Sequence, residues 1–172
     1  MTSGARSKQG PKPGTARAAL GYRDFRIIWF GLFASNIGTW MQNLALPAYI
    51  DARTHQAIWV AVMGFAQLGP LLLLSIPGGV LAERFPRRPW LITNQSMQLL
   101  FAMLIAFLIS NDSSLWAIFA VQLGIGTFNA LGAPAMQASI PLLVRREDLP
   151  GALSLNSVML NGSRVIGPVL AA

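Results

Sequence analysis

"GGVLAERFPRRPWLI", residues 78–92, packs Glu83, Arg84, Arg87 and Arg88 into six positions of a chain that is elsewhere nearly bare of charge. On its N-terminal side, residues 54–82 hold only His55 as a titratable group. On its C-terminal side, residues 89–111 carry no charge at all. Further out the pattern repeats, with uncharged runs over 27–50 and 113–144. About 20 apolar residues span a bilayer as a helix. Four such runs in 172 residues are more than buried core helices require, and a fifth, 149–172, is interrupted only by Arg164. Charged residues make up 11% of the chain, against about 25% in a soluble domain. The reading is an all-α integral membrane protein. Helices are expected over about 25–50, 57–83, 89–110, 115–135 and 149–172. They follow a disordered basic tail over 1–20, rich in Gly and Pro.

A net charge of +7 raises the possibility of nucleic acid as a partner, but the placement of the charges excludes it. Six of the 13 Lys and Arg precede the first run, three follow the second (Arg84, Arg87, Arg88) and two follow the fourth (Arg145, Arg146). Only Arg53 lies in an alternate loop, and Arg164 lies inside the fifth run. Basic residues concentrate on the cytoplasmic side of membrane proteins. The N-terminus and the loops at 83–88 and 145–148 are therefore expected inside, and 51–56 and 111–114 outside. The partner implied is the lipid bilayer. Cysteine is absent, so disulfide and thiol chemistry are excluded. One His, in a loop, and no pair of carboxylates within a run argue against an enzyme, a metal site or a cofactor.

The polar residues inside the runs are few and patterned. At 100° per residue, Ser35, Asn36, Thr39, Gln42 and Asn43 fall in an arc of about 120° on the first helix. Trp40, Met41 and Leu44 are read on the far side. Lipid cannot satisfy an amide, so this arc faces protein or water. It is either a water-filled or substrate-lined path, or glue between helices. Gln122 and Asn129, seven apart, share a face of the fourth helix. Ser157, Asn161 and Arg164, spaced i, i+4, i+7, share a face of the fifth. Pro70 and Pro77 are expected to kink the second helix. Asp148 is placed to cap the fifth.

These residues resemble a known family. "RDFRIIWFGLFASNIGTWMQ" is similar to the first helix of the major facilitator superfamily, in the branch of the enterobactin exporter and related drug exporters. "GGVLAERFPRR" resembles the superfamily's signature between helices 2 and 3, G-x-L-A-D-R-x-G-R-R. Gly79, Leu81, Ala82, Arg84, Arg87 and Arg88 match it, Glu83 stands for the usual Asp, and Pro86 for the usual Gly. "APAMQASIPLLVRREDLPGALSLNS" and "NGSRVIGPVLA" resemble the helix 4–5 connection and the fifth helix, with the Gly167–Pro168 pair as a kink.

The resemblance implies the first five helices of a twelve-helix fold, so that 21–172 is a partial N-terminal transmembrane half and the C-terminal half is its missing partner. It implies a secondary exporter of a small drug-like or siderophore-like molecule in a bacterial cytoplasmic membrane, working by alternating access against a coupling ion, expected to be a proton. Asn36, Thr39, Gln42, Asn43, Gln122, Asn129, Asn161 and Arg164 are then the substrate-pathway candidates. Gly79, Glu83, Arg84, Arg87 and Arg88 form a cytoplasmic latch, in which Gly79 is expected to let a neighbouring helix approach. Every acid lies at a helix end or in a loop, which leaves Asp51 or the remaining helices to carry the ion. The alternative is a membrane scaffold or assembly subunit that transports nothing.

Overall fold

Backbone amides in an apolar stretch find hydrogen-bond partners only within the chain, and the long uncharged runs meet that demand as helices. The structure, a computed structural model, describes residues 12–171, and the side chains of 82, 83 and 87 fall outside that description. The tail expected over 1–20 therefore lies outside the described residues from 1 to 11, as do the side chains of two latch residues, Glu83 and Arg87. A short helix α1 (Ala16–Ala19) precedes five long ones: α2 (Arg23–Thr54), α3 (Ala57–Arg84), α4 (Arg87–Ser110), α5 (Leu115–Leu143) and α6 (Leu149–Ala171). A 3₁₀ turn, Arg146–Asp148, leads into α6.

Two helices outrun their expected ends. α2 continues four residues past 50, because its last turn is held from outside. The Arg53 guanidinium donates to the Tyr49 hydroxyl and to the carbonyls of Ser113 and Asp112, at 2.9, 2.8 and 2.9 Å. The chain reverses at His55, with φ +51°. α5 runs to Leu143 rather than 135, through two prolines at 134 and 141. A proline forfeits one backbone bond, and in an apolar phase ending the helix would forfeit several.

Among the described residues, three segments are by length and composition apolar enough to cross a membrane: Ala57–Leu81, Arg88–Ser110 and Leu115–Leu143. α2 and α6, also expected to cross, fall short of that apolarity. Ser35, Asn36, Thr39, Gln42 and Asn43 dilute the first, and Asn156, Asn161 and Arg164 the second. On α3, Leu72, Leu73 and Ile76 stand 82%, 76% and 81% exposed, a surface suited to hydrocarbon rather than water.

The chain forms two compact units, Met1–Asn43 with Ile140–Ala172, and Leu44–Ser139. The second centres on Leu46, Ile50, Met63, Ile105 and Ile118. Buried Asn94 stitches it together: its amide donates to the Phe128 carbonyl at 2.8 Å and its oxygen accepts from Gln98 at 2.9 Å. The first unit centres on Ala19, Phe25, Ile140, Val144, Ala152 and Leu155. The Trp29 indole donates to the Leu155 carbonyl at 3.1 Å, joining α2 to α6.

Candidate functional site

The first unit holds the polar arc of α2. Asn36, Thr39, Gln42 and Asn43 are all half-buried. The donors of two of them turn back on their own helix. Asn36 Nδ2 donates to the Leu32 carbonyl at 2.9 Å and Thr39 Oγ1 to the Ser35 carbonyl at 3.1 Å. Gln42 and Asn43 have partners as well. The arc is polar without being unsatisfied, so its need for water is smaller than its composition suggests.

α6 brings a different group to the same unit. Arg164 is exposed, and its Cζ sits 5.1 Å from the centre of the Trp40 ring. A guanidinium over an indole face is held by the ring quadrupole. The sequence reading put Trp40 on the far side of α2. By helical angle it stands only about 40° beyond Asn36, at the edge of the arc. Gly167, one turn past Arg164, explains the proximity. A Cβ built there would lie 2.5 Å from Trp40 Cβ and 3.0 Å from the Ile37 carbonyl oxygen. α6 thus crosses α2 at Gly167, where only a hydrogen fits. The expected kink residue is a contact residue, and α6 continues through Pro168 to Ala171. Asn161 and Ser157, on the Arg164 face, are exposed but donate to their own helix, at Ser157 O (2.8 Å) and Leu153 O (3.2 Å).

Asp148 is the residue whose role sequence reasoning missed. Its carboxylate was expected to cap α6. Instead Oδ1 accepts from the Gly14 backbone N–H at 2.9 Å and Oδ2 from the Tyr22 hydroxyl at 2.8 Å. Only 6% of Asp148 is exposed. The partners are 134 and 126 residues away, so no local pattern could reveal them. The hydrogen bond to the carboxylate, with desolvation and its negative charge, pushes the Tyr22 phenol above its ordinary 10.0. Asp148 thereby pins the segment before α2 to the start of α6.

In the second unit, Gln122 is buried and Asn129 exposed, so two residues expected to share a face have different surroundings. Arg84 and Arg88 are exposed at the end of α3 and the start of α4. Phe85 and Trp90 stack at 5.3 Å. Pro86 has φ −60°, ordinary for proline, so the loop needs no glycine there. Gly79, expected to admit a neighbouring helix, has nothing within 4 Å of its Cβ position among the described residues. The close approach falls one residue earlier, where a Cβ built on Gly78 would lie 3.1 Å from the Ala130 carbonyl oxygen. The one ion pair among the described residues, Arg145–Glu147 at 3.8 Å, is exposed and contributes little. No group of three His, Asp or Glu able to hold a metal occurs among those residues.

The chain's relatives are membrane transporters. It is 30% identical over 139 residues to the staphyloferrin A transporter of Staphylococcus aureus, an alignment covering 78% of this chain and 34% of that protein. It is 29% identical over 147 residues to the enterobactin exporter EntS of Salmonella paratyphi A, covering 85% and 36%, and to EntS of Escherichia coli O1:K1, covering 85% and 35%. The chain thus spans about a third of the length of the curated relatives it matches. No solved structure matches it. These relatives are transporters and not enzymes. The sequence pattern of the transmembrane secretion effector family matches residues 14–172; with its all-helical fold, this chain belongs to that family, within the major facilitator superfamily.

Proposed function

We propose that the chain belongs to a secondary active transporter of the bacterial cytoplasmic membrane, which exports a small drug-like or siderophore-like molecule by alternating access in exchange for a coupling ion. The relatives supply the class of cargo. The observation in this chain that carries the reading is the half-buried polar arc of α2, with Asn36, Thr39, Gln42 and Asn43 running along one side of a 32-residue helix. Two helix turns of hydrogen-bonding side chains offer a moving solute successive partners. Arg84 and Arg88, with Glu83, Arg87 and Gly79, form a latch on the cytoplasmic side. It closes against the rest of the transporter and then releases, as rocking about a central site requires. Because the acids of this chain sit at helix ends and in loops, the coupling proton is carried by Asp51 or by helices outside these residues.

A scaffold without transport is the second reading. The observation favouring it is that Asn36 and Thr39 donate to their own helix, which packing against lipid or protein tolerates. One experiment separates the two. The sequence contains no cysteine, so Asn36→Cys and Asn43→Cys each introduce a lone thiol here. In the full-length protein, with any cysteine outside these residues removed, both react with a membrane-impermeant thiol reagent if the arc lines a path. Reaction at neither position supports the scaffold and removes the path.

A further inference from the structure

We infer that Arg164, seated on Trp40, is a docking point for a single carboxylate of the transported molecule. The inference rests on the transport reading and narrows its cargo to carboxylate-bearing compounds.

Arg164 lies 15 residues after the first residue of α6, about 22 Å along the axis at 1.5 Å per residue. A charge that far into a membrane helix is expensive and is kept for a reason. A structural reason would be a carboxylate partner, and among the described residues none pairs with it. The acids nearest in sequence, Glu147 and Asp148, lie before α6 begins. Glu147 pairs with Arg145, and Asp148 is occupied by Gly14 and Tyr22. What Arg164 does have is a ring. Its Cζ stands 5.1 Å over Trp40, and the Gly167 crossing holds that indole in place.

The ring contact takes the charge of the guanidinium and none of its N–H donors, and Arg164 is exposed. Those donors form the fork that fits two coplanar oxygens. Charge selects among anions. Arg164 is the one cation within α6, and the cations of α2, Arg23, Arg26 and Arg53, lie in or near its end turns. One positive charge matches one carboxylate. A phosphate or phosphonate near charge −2 would be left half neutralised in a site with no second cation. Ser157 and Asn161 do not alter this, because their donors are already given to carbonyls.

The test uses phenylglyoxal, which modifies free guanidinium groups, on the full-length protein in proteoliposomes, with modification at each arginine read by mass spectrometry. The ligand is represented by benzoate, with benzamide as its neutral isostere and phenylphosphonate as the dianionic arm. Exposed Arg17 and Arg145 serve as internal references. Arg164 should react in ligand-free protein. Benzoate should slow that reaction at least fivefold without slowing the references, and benzamide should not. Trp40→Leu should raise the half-protecting benzoate concentration about tenfold, the scale of a cation–π contact. Trp40→Phe, which keeps a ring and a similar packing volume, should raise it less and guards against a folding failure of the leucine variant. An unreactive Arg164 in ligand-free protein means that the rest of the transporter already pairs it, and overturns the inference. So does protection by phenylphosphonate at lower concentration than benzoate, or protection indifferent to Trp40. Thiol labelling at Asn36→Cys and Asn43→Cys does not depend on any anion. Labelling with no protection at Arg164 therefore sinks the carboxylate site and leaves the pathway standing.

Discussion

Replacing Asp148 tests whether the segment before α2 is held by chemistry or by simple burial. Asp148→Ala removes the acceptor of both the Gly14 N–H and the Tyr22 hydroxyl. A hydrogen bond to a charged group contributes about 1.5–3 kcal/mol. Both partners are half-buried and regain water when the segment lifts, so the lower part of that range applies. Two bonds at about 1.5 kcal/mol each make a loss of about 3 kcal/mol, which raises the opening equilibrium roughly 150-fold. Asp148→Asn is predicted to behave differently. Its oxygen still accepts from Gly14, and its NH₂ donates to the Tyr22 oxygen, since a phenol accepts as well as donates. Only the charge assistance goes, and the opening should rise less than about fivefold. Amide hydrogen exchange of residues 14–22, measured in the full-length protein, reads the opening directly. Peptides from α4, in the other unit, should exchange unchanged. Equal exchange in the alanine and asparagine variants would refute the hydrogen-bond argument, and wild-type exchange in both would show that Asp148 holds nothing.

Three further outcomes are expected. Gly167→Ala places a methyl 2.5 Å from Trp40 Cβ, where about 3.5–4 Å is comfortable; it should destabilise the protein by about 1–3 kcal/mol in a thermal melt, and Gly162→Ala, with 3.5 Å to the Phe33 ring, should cost less. The Tyr22 phenol, raised above 10.0 by Asp148, must stay protonated to donate, so its contribution is present below pH 10 and lost as pH climbs through the raised value. In a Tyr49→Phe background the phenolate absorbance of the chain should titrate above 10.0, and adding Asp148→Asn should bring the midpoint down. Glu83→Gln in the full-length protein should reduce transport while leaving membrane insertion intact, and Glu83→Asp should be mild; full transport by the glutamine variant would leave the latch without an acidic component.

Where the sequence was legible and where it was not follows from the range of the forces involved. Uncharged runs report helices because every residue in them votes on the same solvent, and all five long helices lie where those runs are. Their ends are decided by a few contacts. α2 is longer than its apolar run because Arg53 reaches carbonyls about 60 residues on, and no periodicity records that. Glycine patterns show that a close approach occurs but not at which residue: Gly78 takes the contact that Gly79 was expected to take. Trp40 was read on the far side of α2, yet it stands at the edge of the polar arc. Its π-face is what Arg164 uses, and a helical wheel gives a direction, not a partner.

Polar residues in these helices divide by what their own helix can do for them. Asn36, Thr39, Ser157, Asn161, Thr127 and Ser139 each donate to a carbonyl four residues back. Local bonding of this kind is available to any hydroxyl or amide on a helix. Charged groups lack that resource. A carboxylate only accepts, and Asp148, in the turn before α6, takes its donors from Gly14 and Tyr22. A guanidinium carries five donors in a planar fork, more than one free carbonyl can take. Arg53, in the last turn of α2, meets the demand with two loop carbonyls and the Tyr49 hydroxyl of its own helix. Arg164, in mid-helix, meets it with a ring that takes its charge and none of its hydrogens. The two charges thus differ: Asp148 closes a contact inside the chain, and Arg164 rests on a ring with its donors unassigned among the described residues.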